Sequence, residues 1–207
     1  MIGIINYSTN NINCIIKIIK RLNKKFIVIN NYNDYYLNIN DIEKIIIPGI
    51  GNYNFCMKFI KSNKLDEVIY DHLGKNKKIM GICLGMQILT TIGDEGGKIQ
   101  GLDIIKNTNT EIMKTDHILP HIGWTKINIK NKDDPIYKNI NNYSDFYFVH
   151  SYNVISKNKD IISATSNYGN YEFISIIKTN NILGIQFHPE KSGPSGIKLI
   201  ENFLNLL

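Results

Sequence analysis

The sequence predicts an α/β fold: one domain over residues 1–207, with a central, mostly parallel or mixed sheet flanked by helices. Three observations predict it. Short apolar runs rich in β-branched residues recur at Ile2–Asn6, Phe26–Ile29, Lys44–Ile47 and Lys78–Ile82. Helical periodicities separate them, and the runs are continuously apolar, as in parallel strands covered on both faces. A chain of 207 residues can bury roughly 70% of its extended surface, so its core needs neither disulfides nor a structural metal.

Taken in order, the first run ends in a turn-rich break at Tyr7–Asn11. Ile12, Ile15, Ile16, Ile19 and Leu22 then recur at helical spacing, with Lys17, Lys20 and Arg21 on other faces. Pro48-Gly49-Ile50-Gly51 stops the third run. Two helical stretches follow, carrying Phe55, Phe59 and Ile60, then Leu65, Val68, Ile69 and Leu73. The helix after Cys83 is expected to continue through Met86, Ile88 and Leu89 until Gly93–Gly97 interrupts it. Beyond residue 100, strands are expected around Glu111–Met113, Trp124–Ile129, Phe146–His150, Ile161–Ala164, Phe173–Ile177 and Leu183–Phe187. Asn-, Asp-, Gly- and Lys-rich turns join them, and no Pro- or Ser-rich linker marks a domain boundary.

Composition excludes several classes of function. The chain holds 42 Ile, 29 Asn and 23 Lys but only one arginine, Arg21, for a net charge of +6. Its lysines are scattered rather than massed on a stripe, and the forked guanidinium contacts typical of nucleic-acid recognition are missing, so no nucleic-acid partner is expected. No apolar run approaches the ~20 residues that span a bilayer, and no secretory signal is seen. Cys14, Cys56 and Cys83 are odd in number and far apart, which fits a reducing compartment. A cytoplasmic protein without membrane partners is expected.

The sharpest local feature is Gly81-Ile82-Cys83-Leu84-Gly85, where a strand runs into a helix through a cysteine flanked by glycines. Such an elbow presents its central side chain at the carboxyl edge of a sheet, and a helix start favours thiolate. A buried structural cysteine beside two turn glycines is the plain alternative. Near the other end stands Gln186-Phe187-His188-Pro189-Glu190-Lys191-Ser192. A strand delivers His188, and Pro189 restricts the backbone so that Glu190 can stay near the imidazole. Cysteine hydrolases need a base beside the thiol and a group that orients the base. Cys83, His188 and Glu190 supply these three roles. The amide of Leu84 is the expected first donor to a developing oxyanion, and Gly49 and Gly51 lie in the best candidate loop for a second. That loop could otherwise be a simple strand-to-helix turn.

Together these stretches resemble the class I glutamine amidotransferases and, within them, the glutaminase subunits of imidazole glycerol phosphate synthases. The likeness spans nearly the whole chain and rests on Pro48–Gly51, Gly81–Gln87, Pro120–Trp124, Asp145–Tyr152 and Gln186–Ser192. It implies L-glutamine as substrate, a glutamyl thioester on Cys83, His188 as base and acid, and Glu190 as the third member. It further implies that Gln87 helps hold the substrate and that the segment containing Gly51 rearranges to offer an oxyanion amide when partner and ligand bind. His121 and His150 fall within the matched stretches, whereas Tyr137 is left outside the site. By the same resemblance, ammonia passes to a cyclase subunit in a heterodimer, and Trp124, Tyr147 and Lys191 face that partner. Apolar character alone would equally suit Trp124 to core packing. No cofactor and no metal are called for.

Two stretches depart from the family's usual pattern. Asn6-Tyr7-Ser8-Thr9-Asn10-Asn11 stands where Asp-Tyr-Gly-x-Gly-Asn is common, so this loop must use other dihedrals or Asn10's tolerance of left-handed geometry. Ile118-Leu119 precedes Pro120 where a basic residue is frequent. These departures leave room for a second reading, a paralogous amidotransferase feeding ammonia to a surface-sugar synthase. A non-enzymatic scaffold and a general cysteine peptidase are weaker alternatives, because the three catalytic residue types are intact and no peptide cleft is evident.

Overall fold

The computed structural model describes residues 1–7 and 12–206. Strands β1 (Ile2–Ile5), β2 (Phe26–Ile29), β3 (Lys44–Ile47) and β4 (Lys78–Ile82) alternate with helices α1 (Ile12–Arg21), α2 (Tyr32–Tyr36), α3 (Tyr53–Ser62) and α4 (Leu65–Gly74). After α5 (Leu84–Gln87) come β5 (Thr90–Gly93), β6 (Ile99–Gln100), β7 (Ile105–Ile112), β8 (His121–Lys126) and β9 (Asn128–Ile129). The chain continues through β10 (Asp145–His150), β11 (Tyr152–Ser156), β12 (Ile162–Tyr168), β13 (Tyr171–Lys178), β14 (Ile182–Ile185) and α6 (Gly193–Asn205).

Among the described residues, eight strands form the main sheet in the order β2-β1-β3-β4-β14-β13-β12-β9. The first five run parallel, and the pairings among β14, β13, β12 and β9 are antiparallel. The sheet is therefore mixed, with its parallel part built from the apolar runs read in the sequence. Every residue of β1, β3 and β14 is buried. Alternation divides β3 and β4 between the two faces: Ile46, Met80 and Ile82 pack in one apolar cluster, and Ile45, Ile47 and Ile79 in the other. Both faces are thus covered, as continuous apolar strands require. No helix among the described residues is long and apolar enough to cross a membrane.

One element is shorter than its periodicity suggests. Helix α5 is a single turn, and Thr90 begins a strand where Ile88 and Leu89 would have continued the helix. The carbonyl of Ile88 accepts the Leu102 amide at 2.9 Å, and that of Leu89 accepts the amides of Ile104 and Ile105 at 3.0 and 2.9 Å. These long-range bonds take the acceptors that a longer helix would have used. Beside the main sheet stand a ribbon of β10 and β8 and a small sheet ordered β11-β7-β5-β6. With the main sheet's carboxyl edge they enclose the pocket described next.

Candidate active site

Cys83 follows β4 directly, and β14 lies alongside β4 with Ile185 opposite Ile82. Residues from opposite ends of the sequence therefore meet at one sheet edge. The Cys83 amide donates to the Ile185 carbonyl at 2.6 Å, and its backbone turns at φ 51°, ψ −110°. A positive φ is costly for a residue with a side chain and persists only where surrounding structure enforces it. Here the close approach of Gly85 to β3 does so: a Cβ on Gly85 would stand 2.0 Å from the Ile47 carbonyl oxygen. The thiol is consequently aimed into a cavity of about 150 Å³, lined in part by Gly51, Cys83, Leu84, Gln87, Glu95 and His188.

His188 is held as firmly. The His188 amide donates to the Tyr147 carbonyl at 2.8 Å, and Pro189 opens a short 3₁₀ turn, Pro189–Lys191. That turn brings Glu190 Oε1 to 2.7 Å from His188 Nδ1, with both side chains buried. The carboxylate binds the ring through Nδ1, which leaves Nε2 on the opposite edge of an imidazole that lines the same cavity as Cys83. Burial works to lower the pKa of His188. Cys83, by charge and hydrogen bond, and then Glu190 outweigh it, holding the imidazole well above its ordinary 6.5. Ser192 locks the turn to β10, its hydroxyl donating to the His188 carbonyl at 2.6 Å and accepting the Tyr147 amide at 3.0 Å.

Leu84 is the first residue of α5, so its amide has no acceptor within the helix. Gly51 lines the cavity at φ +132°, 3.9 Å from Leu84 Cδ2 when measured from an added Cβ. Gly49 stands behind the wall instead, where a Cβ would come within 2.3 Å of the Gly85 nitrogen. Gln87 is buried, and its Nε2 donates to the Tyr152 carbonyl at 2.9 Å and to Gln186 Oε1 at 3.2 Å. Gln186 in turn approaches the Cys83 sulfur with its own Nε2 at 3.6 Å.

The other half of the wall, Val149–Tyr152, follows from β10. His150 Nδ1 lies 2.9 Å from the Tyr152 carbonyl, an acceptor only, so this nitrogen carries the proton. His150 Nε2 must then accept from His121 Nδ1 at 3.3 Å, and His121 Nε2 accepts from the Thr125 hydroxyl at 2.9 Å. Burial lowers the pKa of His121 to about 4 and, with smaller effects of neighbouring histidines, that of His150 to about 3. Both rings are neutral wall-building groups near neutrality.

Trp124 is 57% exposed on β8 and faces Tyr147 across the ribbon, ring centroids 6.0 Å apart and edge-on. Lys191 is exposed in the turn that carries Glu190. The structure therefore places these three beside the backbone that holds His188. Of the atypical loop, Asn6 donates to Asn30 Oδ1 at 2.9 Å, while Ser8–Asn11, including the expected left-handed geometry at Asn10, lie outside the described residues. Ile118 is 86% exposed. Glu95 and Gln186 were not singled out in the sequence as site residues. Glu95 sits in an Asp-Glu-Gly-Gly turn that carries no chemical signature, and Gln186 was visible only as a neighbour of His188.

Comparison with known proteins gives the same picture from another direction. The family model of class-I glutamine amidotransferases matches residues 4–206. The imidazole glycerol phosphate synthase subunit HisH of Methanocaldococcus jannaschii is 43% identical over 207 residues, covering 100% of both chains. That of Caldanaerobacter subterraneus is 38% identical over 98% of this chain and 97% of its own. Two crystal structures of glutamine amidotransferases superpose with TM-scores of 0.74 and 0.66, the second from Thermotoga maritima. They cover 98% and 99% of this chain and 96% and 82% of their own, and at 13% and 15% identity they establish the fold. A cysteine elbow at the carboxyl edge of a mixed sheet and relatives matching end to end converge on one conclusion: the chain belongs to the class-I glutamine amidotransferase family, as a homologue of the HisH subunits.

Proposed function

We propose that this chain, as one amidotransferase domain, is the glutaminase subunit of an imidazole glycerol phosphate synthase, hydrolysing L-glutamine and passing ammonia to a cyclase subunit for histidine biosynthesis. The observation that carries the reading is the Cys83 elbow opening into the same pocket as the paired His188 and Glu190. With its proton already passed to His188 Nε2, the Cys83 sulfur attacks the side-chain amide carbon of glutamine. The carbonyl electrons move to oxygen, where the Leu84 amide and a donor from Gly49–Gly51 stabilise the charge. His188 returns its proton to the leaving nitrogen, the C–N bond breaks, and ammonia departs from a glutamyl thioester. Water, deprotonated by His188, then attacks the thioester; glutamate leaves and the Cys83 sulfur is freed. Glu190 fixes the tautomer and stabilises the imidazolium in both halves.

The cavity also suits the amino-acid end of the substrate. Glu95, held by the Tyr53 amide at 2.7 Å, offers a carboxylate to the α-ammonium. Gln87 spends its Nε2 on the wall and keeps its carbonyl for the substrate. Delivery within a heterodimer is chemically sensible, because ammonia released into neutral water becomes ammonium and loses its nucleophilic lone pair. Trp124, Tyr147 and Lys191 form the surface offered to the cyclase. Cys83→Ala in the complex tests the reading: glutamine-dependent synthesis should vanish and synthesis from added ammonia should persist. Labelling by a glutamine-like chloroketone confined to Cys14 or Cys56 would reject Cys83. Nitrogen transfer with a surface-sugar synthase but not with the cyclase would reject the partner.

A further inference from the structure

Beneath the Pro48–Gly51 loop lies a pair of polar side chains that the reaction above does not use. Tyr7, just past β1, and Cys56, in the first turns of α3, are both about 1% exposed. The Tyr7 hydroxyl donates to the Pro48 carbonyl oxygen, and the Cys56 thiol lies close enough to the phenol to act on its charge. A phenol has one proton, and here it goes to Pro48. Burial, reinforced by the charges of Cys56 and Cys83, pushes the Tyr7 pKa far above 10, and burial pushes the Cys56 thiol up as well. Both protons stay in place, so the pair is a fixed strut.

The loop above this strut is held at one end and open at the other. Pro48 is tied by its carbonyl, and Gly49 is wedged against the elbow, where a Cβ would meet the Gly85 nitrogen at 2.3 Å. Gly51, by contrast, has only Leu84 Cδ2 near it, at 3.9 Å from an added Cβ, and already occupies φ +132°. The peptide groups free to turn are those around Ile50 and Gly51.

We propose that Tyr7 is a positioning residue for glutamine hydrolysis: its hydroxyl, backed by Cys56, anchors the Pro48 carbonyl so that the loop pivots at Ile50–Gly51 and aims an amide at the tetrahedral oxyanion. This rests on the glutaminase reading and extends it to two side chains outside the pocket.

The test uses the full chain with its cyclase subunit. Tyr7→Phe keeps the ring and removes only the hydroxyl. Misaiming one oxyanion donor should lower kcat for glutamine about tenfold, part of the ~100-fold or more that removing a donor costs. KM should stay within about twofold, because the oxyanion exists only in the transition state. Alkylation of Cys83 by iodoacetamide, which forms no oxyanion, should proceed at the unmodified rate. Cys56→Ser, which keeps a small polar group beside the phenol, should keep kcat, whereas Cys56→Ala, which empties that space, should fall toward the Tyr7→Phe value. A Tyr7→Phe complex with unchanged kcat overturns the proposal. So does a parallel loss of turnover and of Cys83 alkylation, the sign of general disruption. Failure of the glutaminase reading itself looks different, since the unsubstituted complex would then release no glutamate.

Discussion

Gly85→Ala puts a single methyl group at the tightest backbone approach in the site. The added Cβ would lie 2.0 Å from the Ile47 carbonyl oxygen and 2.9 Å from its carbon, against an ordinary contact of 3.4 Å or more. The obstructing atoms are backbone in a central strand, so no side chain can swing away. The elbow must retreat by about 1.4 Å, and overpacking of this kind costs about 1–3 kcal/mol in a close-packed interior. For a chain of this size that lowers Tm by about 2–12 °C. The retreat also carries the Cys83 sulfur off its line to His188, and a misplacement of ~1 Å is worth about a hundredfold in rate, or ~2.7 kcal/mol of barrier. Melting followed by circular dichroism and glutamate release by the assembled complex measure the two effects. Gly74→Ala is the control, since nothing lies within 4 Å of a Cβ there, and it should change Tm little or raise it slightly. A Gly85→Ala protein with unaltered melting and turnover would refute the reasoning.

Glu190→Gln keeps the shape beside His188 but withdraws the carboxylate that fixes its tautomer, so glutamine turnover should fall about 10³–10⁴-fold with the fold intact; measured kcat within tenfold of the unsubstituted complex would remove Glu190 from the mechanism. Trp124→Ala should leave Tm unchanged and weaken cyclase binding about thirtyfold, as for an interface anchor worth ~2 kcal/mol; calorimetry showing equal affinity would move the interface elsewhere. His72 is fully buried, and burial lowers its pKa to about 4 from 6.5. Because the folded value lies below the unfolded one, its contribution is present above pH 6.5 and is lost as pH falls toward 4, by up to about 3 kcal/mol. Urea unfolding at pH 7.5 and 4.5 should show a smaller difference for His72→Phe than for the unsubstituted chain, and identical differences would contradict the assignment.

The parallel half of the fold was legible because its strands are continuously apolar, and Cys83, His188 and Glu190 could be singled out as candidates because each sits in a short local motif. What escaped reading was decided over distance. Ile88 and Leu89 fit a helical spacing, yet their carbonyls are claimed by residues 102, 104 and 105. Helix α6 hides behind Gly193, Pro194 and Gly196, residues that normally punctuate chains. Gly196 is there because a Cβ would meet the Pro189 carbonyl oxygen at 2.0 Å, a contact made only once α6 packs under the His188 turn. Glu95 reached the pocket through the fold of β5 and β6, pairings too short to announce themselves. The partner surface was named by resemblance, and only the geometry relates Trp124 to Tyr147 edge-on across a ribbon.

The place of β14 has a consequence for synthesis of the protein. This late strand lies inside the main sheet, between β4 and β13, so a nascent chain can build β1–β4 and the cysteine elbow while β4 still has an open parallel edge. Cys83 and His188 then remain apart until β14, arriving with its antiparallel neighbour β13, adds to the edge of a β4 made long before it. Such non-local closure is slow compared with local helix and hairpin formation. Recovery of glutaminase activity on refolding should therefore trail recovery of helical circular dichroism, and a chain stalled before β14 exposes a reactive thiol without the histidine that would make it a hydrolase.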